Sequence, residues 1–327
     1  MALLPAGAFS RQRQGSGPLT IGLVNNMPDA ALRTTERHFR ELLGAAAEDV
    51  PVCLRLFALP ELPRGEIGRA HIAQNYERLD TLWTGEIDGL IVTGTEPRSP
   101  HLMDEPYWPA LARLVDWAQG STLSTIWSCL AAHAAVLQLD GIERTAFPEK
   151  LSGVFPCAKS SGHPIMAETP AIWSVPHSRY NDLPEAALAG AGYEILSRSP
   201  RAGVDIFARE GRSLFVFFQG HPEYDAGALL REYRRDVGRF LAGERESFPE
   251  LPFGCFDEAD RAAFDAFRKQ ALRDRRSDGM PAFPAITSDP TTSPWRTTAV
   301  RIYANWLSLL AARRSAQVDR APERIAI

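Results

Sequence analysis

An α/β protein, built on a mostly parallel sheet with helices on both faces and a helical extension at its C-terminal end, is predicted by three features of this sequence. Apolar runs of strand length alternate with amphipathic stretches as far as Gly141, the pattern of parallel strands joined by helical crossovers. Two of the apolar runs end in residues that carry chemistry, as expected where strands deliver a site to one rim of an open sheet. Beyond Gly141 short β-like runs crowd together, which predicts an antiparallel or mixed extension.

Leu19 to Val24 forms the first strand and ends in Asn25-Asn26-Met27-Pro28, a turn before a helix over 33–46. Val52 to Phe57 is the second strand. Residues 60–80, with Pro and Gly, read as irregular. Gly89 to Thr93 is the third strand and runs into a Gly94-Thr95-Glu96-Pro97 loop. A helix over 107–119 follows, with Asp104 and Glu105 as its N-terminal caps. The strand over 122–127 leads through Cys129 to a helix over 130–139. The later strands span 172–175, 193–196, 204–207 and 213–218, then a helix spans 225–241 and a closing helix 295–313.

At 327 residues, 45% hydrophobic and 23% charged, the chain can bury one large core or two modest ones. The expected organisation is a loose arm over 1–17, one domain over 18–272, and over 273–327 a Pro/Ser/Thr-rich linker and a helix that packs back on that domain. A formal net charge of −4 without a basic block gives no nucleic-acid footprint. No apolar run approaches the length of a membrane span, and the first residues lack the apolar core of a signal peptide. The four cysteines, Cys53, Cys129, Cys157 and Cys255, lack C-x-x-C spacing, so neither a disulfide framework nor a metal site is expected and a cytoplasmic home is.

Cys129 sits in Thr125-Ile126-Trp127-Ser128-Cys129-Leu130, at a strand-to-helix junction, and Gly220-His221-Pro222-Glu223 follows a later apolar strand. Sulfur attacks as the thiolate, which a neighbouring imidazole or a helix N-terminus favours. A carboxylate two residues beyond the histidine would fix the ring's tautomer. On a sharp turn the sulfur is exposed, and the Leu130 N–H points at a developing oxyanion. Most lone cysteines of such proteins are buried and inert; the placement of Cys129 and His221 at two strand ends favours the nucleophile. His133, one turn into the helix, reads as structural, and His38, His71, His101 and His163 have no partner that the sequence names. Lys150 reads as a surface lysine and Pro176-His177-Ser178-Arg179-Tyr180 as a polar loop. Of Arg231, Arg234 and Arg235 on the helix after His221, one could clamp a carboxylate.

Taken in order, Asn26-Met27-Pro28, Asp88 through Gly94, Tyr107-Trp108-Pro109, Cys129, Glu149 through Gly153, Pro176 through Tyr180, Gly220 through Ala226, Trp295-Arg296 and Asn305-Trp306 resemble the homoserine O-acyltransferases of methionine biosynthesis, in particular the homoserine O-succinyltransferase type. The likeness runs from about Ile21 to about Leu310. It implies a class I glutamine amidotransferase-like, flavodoxin-like fold. It also implies that Cys129 accepts the acyl group, with His221 as base and Glu223 as its partner. Lys150 and Ser178 would contact substrate, and Arg235 would hold the amino acid's carboxylate. Leu130, with Gly94 or Thr95, would supply the oxyanion N–H groups. No cofactor beyond an acyl-CoA co-substrate is implied, the partners are small molecules, L-homoserine among them, and the expected assembly is a homodimer.

The chain departs from these patterns at two places. Glutamine amidotransferases flank the nucleophile with glycines, where this chain has Trp127 and Ala131, which argues against a glutaminase. Arg98 occupies a position that in the family bears on the choice of acyl group and usually carries glycine or glutamate; its cation would suit the free carboxylate of a succinyl group. Serine as acceptor, acetyl-CoA as donor, an amidase and a non-catalytic scaffold are the competing readings.

Overall fold

The computed structural model describes residues 17–48, 50–273, 282–286 and 293–320. One nine-stranded sheet organises them, in the order β2-β1-β3-β4-β9-β8-β7-β5-β6. The first five in that order, β2 (Val52–Phe57), β1 (Leu19–Val24), β3 (Gly89–Val92), β4 (Ser124–Ser128) and β9 (Leu214–Phe218), are parallel. The rest, β8 (Gly203–Arg209), β7 (Glu194–Ser199), β5 (Thr145–Lys159) and β6 (Ile172–Asp182), pair antiparallel. The mixed extension expected beyond Gly141 is therefore present.

The parallel strands are buried on both faces because both are covered, and most of them are rich in apolar residues. Alternation along them sorts the side chains. Ile21, Leu23, Ile91, Ile126, Val216 and Phe218 join one core, with α1 (Asp29–Ala46) and α9 (Arg296–Arg320). Val92, Trp127, Phe215 and Phe217 join the other, with α4 (Trp108–Ser121) and α5 (Leu130–Asp140). Across the β8–β9 pair, Phe207 and Phe217 stack with centroids 4.6 Å apart. A third, smaller core lies between α7 (Ala228–Leu241) and α8 (Glu258–Arg273), around Tyr233, Phe240, Phe256 and Phe264.

The last helix is part of the main core. Trp306 is fully buried and donates its indole N–H to Ser124 Oγ (2.9 Å). Gly89 of β3 is needed there, since a Cβ would fall 2.9 Å from the Trp306 ring and 2.6 Å from Leu310.

Several sequence expectations are corrected. The first helix begins at Asp29 instead of 33, and the stretch read as irregular holds α2 (Glu66–Asn75) and α3 (Asp80–Thr84). Only Gly68 of α2 is buried, so no apolar stripe announces that helix. Neither α6 (Glu185–Gly190) nor α8 was anticipated. The Lys150 segment and the expected polar loop 176–180 are strand, β5 and β6. α7 begins at Ala228, three residues after Asp225, and α9 runs to Arg320. Asp104 and Glu105 do not cap α4. Asp104 ends a short 3-10 turn, and the buried Glu105 carboxylate accepts the main-chain N–H groups of Arg98 and Ser99. The arm over 1–16 and most of the linker lie outside the described residues.

Candidate active site

Cys129 is the residue between β4 and α5, held at φ 53° and ψ −114°. A non-glycine residue at positive φ is strained by about 1–3 kcal/mol, and such turns occur where a nucleophile must stand clear of the sheet. The turn is fixed at both ends. Cys129 N–H donates to Phe218 O of β9 (2.7 Å), and Cys129 O accepts the N–H of Ala132 (2.9 Å). The residue is half-buried.

His221 reaches it from the end of β9. Its main-chain N–H donates to Pro176 O (2.7 Å), and the neighbouring Gln219 N–H to Asp205 O (2.8 Å). The ring's Nδ1 lies 2.8 Å from Glu223 Oε1, and Cys129 is near enough to influence the charge of the ring. The Tyr224 ring stacks on the imidazole at 4.3 Å and 14°. Burial opposes charge on His221, but Glu223 and Cys129 outweigh it and hold the imidazole pKa well above its ordinary value. A raised imidazole pKa favours the protonated ring, the form that a thiol nucleophile's partner takes. Cys129, His221 and Glu223 are thus brought together as expected.

Leu130 is the first residue of α5, so its N–H has no intrahelical partner and faces the turn. Gly94, after β3, packs on it: a Cβ there would lie 2.8 Å from Leu130 Cβ and 3.0 Å from Leu130 N. The loop is held by Asn26, whose N–H donates to Thr93 Oγ1 (2.8 Å) and whose side-chain amide donates to Thr93 O (3.1 Å). Gly94→Ala is expected to displace the donor and lower kcat by about 10²-fold with KM little changed, measured by steady-state kinetics. A variant with wild-type kcat would remove Leu130 and Gly94 from the oxyanion site.

Lys150, Ser178 and Arg235 also meet, around two carboxylates of α7. Glu232 accepts from Lys150 Nζ (3.1 Å), Ser178 Oγ and Tyr224 Oη (2.5 Å). Asp236 accepts from Lys150 Nζ (2.9 Å) and from Arg235 Nε and Nη2 (3.1 and 3.0 Å). A cleft of about 390 Å³ opens beside them, lined in part by Lys150, Tyr180, Asp236 and Arg239. Burial works against the Glu232 charge, yet Lys150, Ser178 and Tyr224 overcome it and hold the carboxyl down to about 2. Because the folded pKa lies below the unfolded one, its contribution is complete above about pH 4.3 and is lost as pH falls towards 2. Glu232→Gln should cost on the order of 3 kcal/mol at neutral pH, a gap that narrows below about pH 4.3 in denaturant titrations. A gap independent of pH would contradict that assignment.

Glu232, Asp236 and Tyr224 were not anticipated from the sequence. The i, i+4 spacing of the two carboxylates on the helix that carries Arg235 was the available signal. Arg231, one of the arginines considered for a carboxylate clamp, is paired with Asp225 (2.6 Å) instead, and Arg234 lies over the Phe283 ring. Glu96 of the β3 loop pairs with Arg239 of α7 at 2.5 and 3.0 Å. Arg98 is exposed, and its guanidinium makes no hydrogen bond or ion pair among the described residues. His133 is structural as read: it bonds Gln219 (2.8 Å), and burial lowers its pKa to about 3. His38 and His71 face Asp225 (3.1 Å) and Glu36 (2.9 Å), and His163 Nδ1 accepts the Ile165 N–H.

A sequence model described as homoserine O-succinyltransferase matches residues 8–316. The chain belongs to the homoserine O-succinyltransferase family. Among curated members, it is 51% identical to a homoserine O-succinyltransferase of Rhodopseudomonas palustris over 295 residues, 90% of this chain and 89% of that one. It is 48% identical to a homoserine O-succinyltransferase of Bradyrhizobium japonicum over 312 residues, 95% of each chain. A solved glutamine amidotransferase from Thermotoga maritima shares 14% identity at a TM-score of 0.47, over 91% of this chain and 99% of that one. This member of the homoserine O-succinyltransferase family is an enzyme, a transferase. Among its described residues no helix is long and apolar enough to cross a membrane.

Proposed function

We propose that the protein transfers a succinyl group from succinyl-CoA to the hydroxyl of L-homoserine through a thioester on Cys129, a step of methionine biosynthesis. The observation that carries the chemistry is the placement of His221, bonded to Glu223, near Cys129, on the turn that opens α5 at Leu130.

The Cys129 thiolate adds to the thioester carbonyl, and the oxyanion that forms accepts the Leu130 N–H and one from Gly94 or Thr95. Collapse expels the CoA sulfur, which takes the His221 proton, and leaves succinyl on Cys129. The homoserine hydroxyl then gives its proton to His221 as it attacks the enzyme thioester, and the ester leaves with Cys129 restored. Splitting acyl transfer into two steps is what a thiol nucleophile contributes, and proton transfer by His221 is worth about 10²–10⁴-fold. Lys150, Ser178 and Arg235 are the residues we assign to the amino acid. Arg98, exposed and without an ion-pair partner among the described residues, suits the free carboxylate of a succinyl group. The reaction uses no cofactor beyond the CoA ester, and we expect a cytoplasmic homodimer.

The test is a panel of succinyl-CoA and acetyl-CoA against L-homoserine and L-serine, read by free CoA and by product mass. Succinyl-CoA with homoserine should give the highest kcat/KM. A preference for acetyl-CoA, or for serine, would overturn the assignment of that substrate. Ammonia release from glutamine in place of acyl transfer would return the amidase reading.

A further inference from the structure

On three strands of the antiparallel extension, Cys157 (β5), His177 (β6) and Asp205 (β8) converge behind the turn that carries His221. All three are at 0% exposure. Cys157 Sγ lies 4.0 Å from His177 Nε2, and His177 Nε2 lies 3.4 Å from Asp205 Oδ1. The three donor atoms lie within 4.8 Å of one another. Zinc, at about 2.3 Å from sulfur and about 2.0–2.2 Å from nitrogen and oxygen, draws tetrahedral ligand atoms to roughly 3.3–3.7 Å apart. The His177–Asp205 separation already falls in that range, and the others would have to contract to reach it.

The polar accounting also points to a cation. Asp205 Oδ2 accepts from Ser197 Oγ (2.7 Å), but Oδ1 is buried without a hydrogen bond of normal geometry. A buried carboxylate left this way is costly unless a positive charge meets it. The nearby Arg179 guanidinium directs Nη1 and Nη2 at Asn181 O, Asp182 and Ala202 O.

We propose that Cys157, His177 and Asp205 form a structural site for one thiophilic divalent cation, zinc by the chemistry of the donors. Binding releases the Cys157 thiol proton to solvent, and a thiolate, a neutral imidazole and a carboxylate then meet the metal. A water supplies the fourth position. The cation takes no part in acyl transfer. It ties β5, β6 and β8 together under the turn 219–221, where a Cβ on Gly220 would fall 2.7 Å from Asp205 Oδ1 and 3.1 Å from the His177 ring.

The experiment uses the full chain with Cys129→Ser, which removes the thiol beside His221, after dialysis against a chelator. Titration with Co²⁺ should give a near-ultraviolet thiolate charge-transfer band that saturates at one equivalent per chain, and Zn²⁺ should displace it. Zn²⁺ should also raise Tm. Cys157→Ser should abolish the band and Asp205→Asn weaken Co²⁺ binding at least tenfold, with circular dichroism confirming both folds. Absence of the band from the Cys129→Ser protein refutes the site, whatever the other variants do. So does a band that survives Cys157→Ser, because the metal would then sit on Cys53 or Cys255.

Discussion

Cys129→Ala, mixed with succinyl-CoA in the absence of acceptor, should show no mass increase, while the wild-type chain gains one succinyl group. Turnover should fall by about 10⁴-fold or more, since removal of the nucleophile from a Cys–His or Ser–His unit eliminates nearly all of its chemistry. What remains is orientation of the two substrates by the rest of the site. The substitution also relieves no crowding, because Cys129 is only half-buried, so the fold should survive and the loss should reside in kcat. Intact-mass spectrometry and CoA release decide it. An undiminished rate in this variant would remove the thioester from the mechanism.

Glu223→Gln should be nearly as severe, with kcat reduced by about 10²–10⁴-fold by analogy with the loss of a carboxylate behind a catalytic imidazole. The side chain keeps its size, so the effect is electrostatic. Glu223 is the largest influence that opposes burial and raises the pKa of His221. Without it the ring should give up its proton at lower pH, and the alkaline limb of kcat/KM should move down with it. The same linkage affects stability. A histidine whose folded pKa exceeds its unfolded value of about 6.5 stabilises the fold fully below that pH, and the contribution disappears as pH rises through the folded value. The wild-type chain should therefore lose this increment on the alkaline side, and Glu223→Gln should lose it at lower pH. A pH profile that does not move would make Glu223 a purely steric prop.

The parallel half of the molecule was legible because its strands are buried on both faces, which makes β1, β2, β3 and β9 rich in apolar residues. Cys129 and His221 stood out because they interrupt such runs at the strand ends. β5 and β6 were less legible for a physical reason. β5 is exposed over much of its first half and contains Pro148 and Pro156, so it shows neither an apolar run nor a clean alternation. β6 continues past Val175 into polar residues because His177 and Arg179 are buried among partners of their own. The helix α7 was legible but its chemistry was not. Its arginines drew attention to carboxylate binding, whereas two carboxylates, Glu232 and Asp236, organise Lys150, Ser178 and Arg235. Only the tertiary arrangement brings β5, β6 and α7 to one place, and no spacing within any single segment encodes it.

The burial of Trp306 against Gly89 and Ser124 has a bearing on synthesis. Until α9 has been made, α1 alone covers that face of β1, β3 and β4, and the strand that leads to the reactive sulfur lacks Trp306 behind it. The nascent chain can pair its early strands, but that face is finished only once α9 has docked on it.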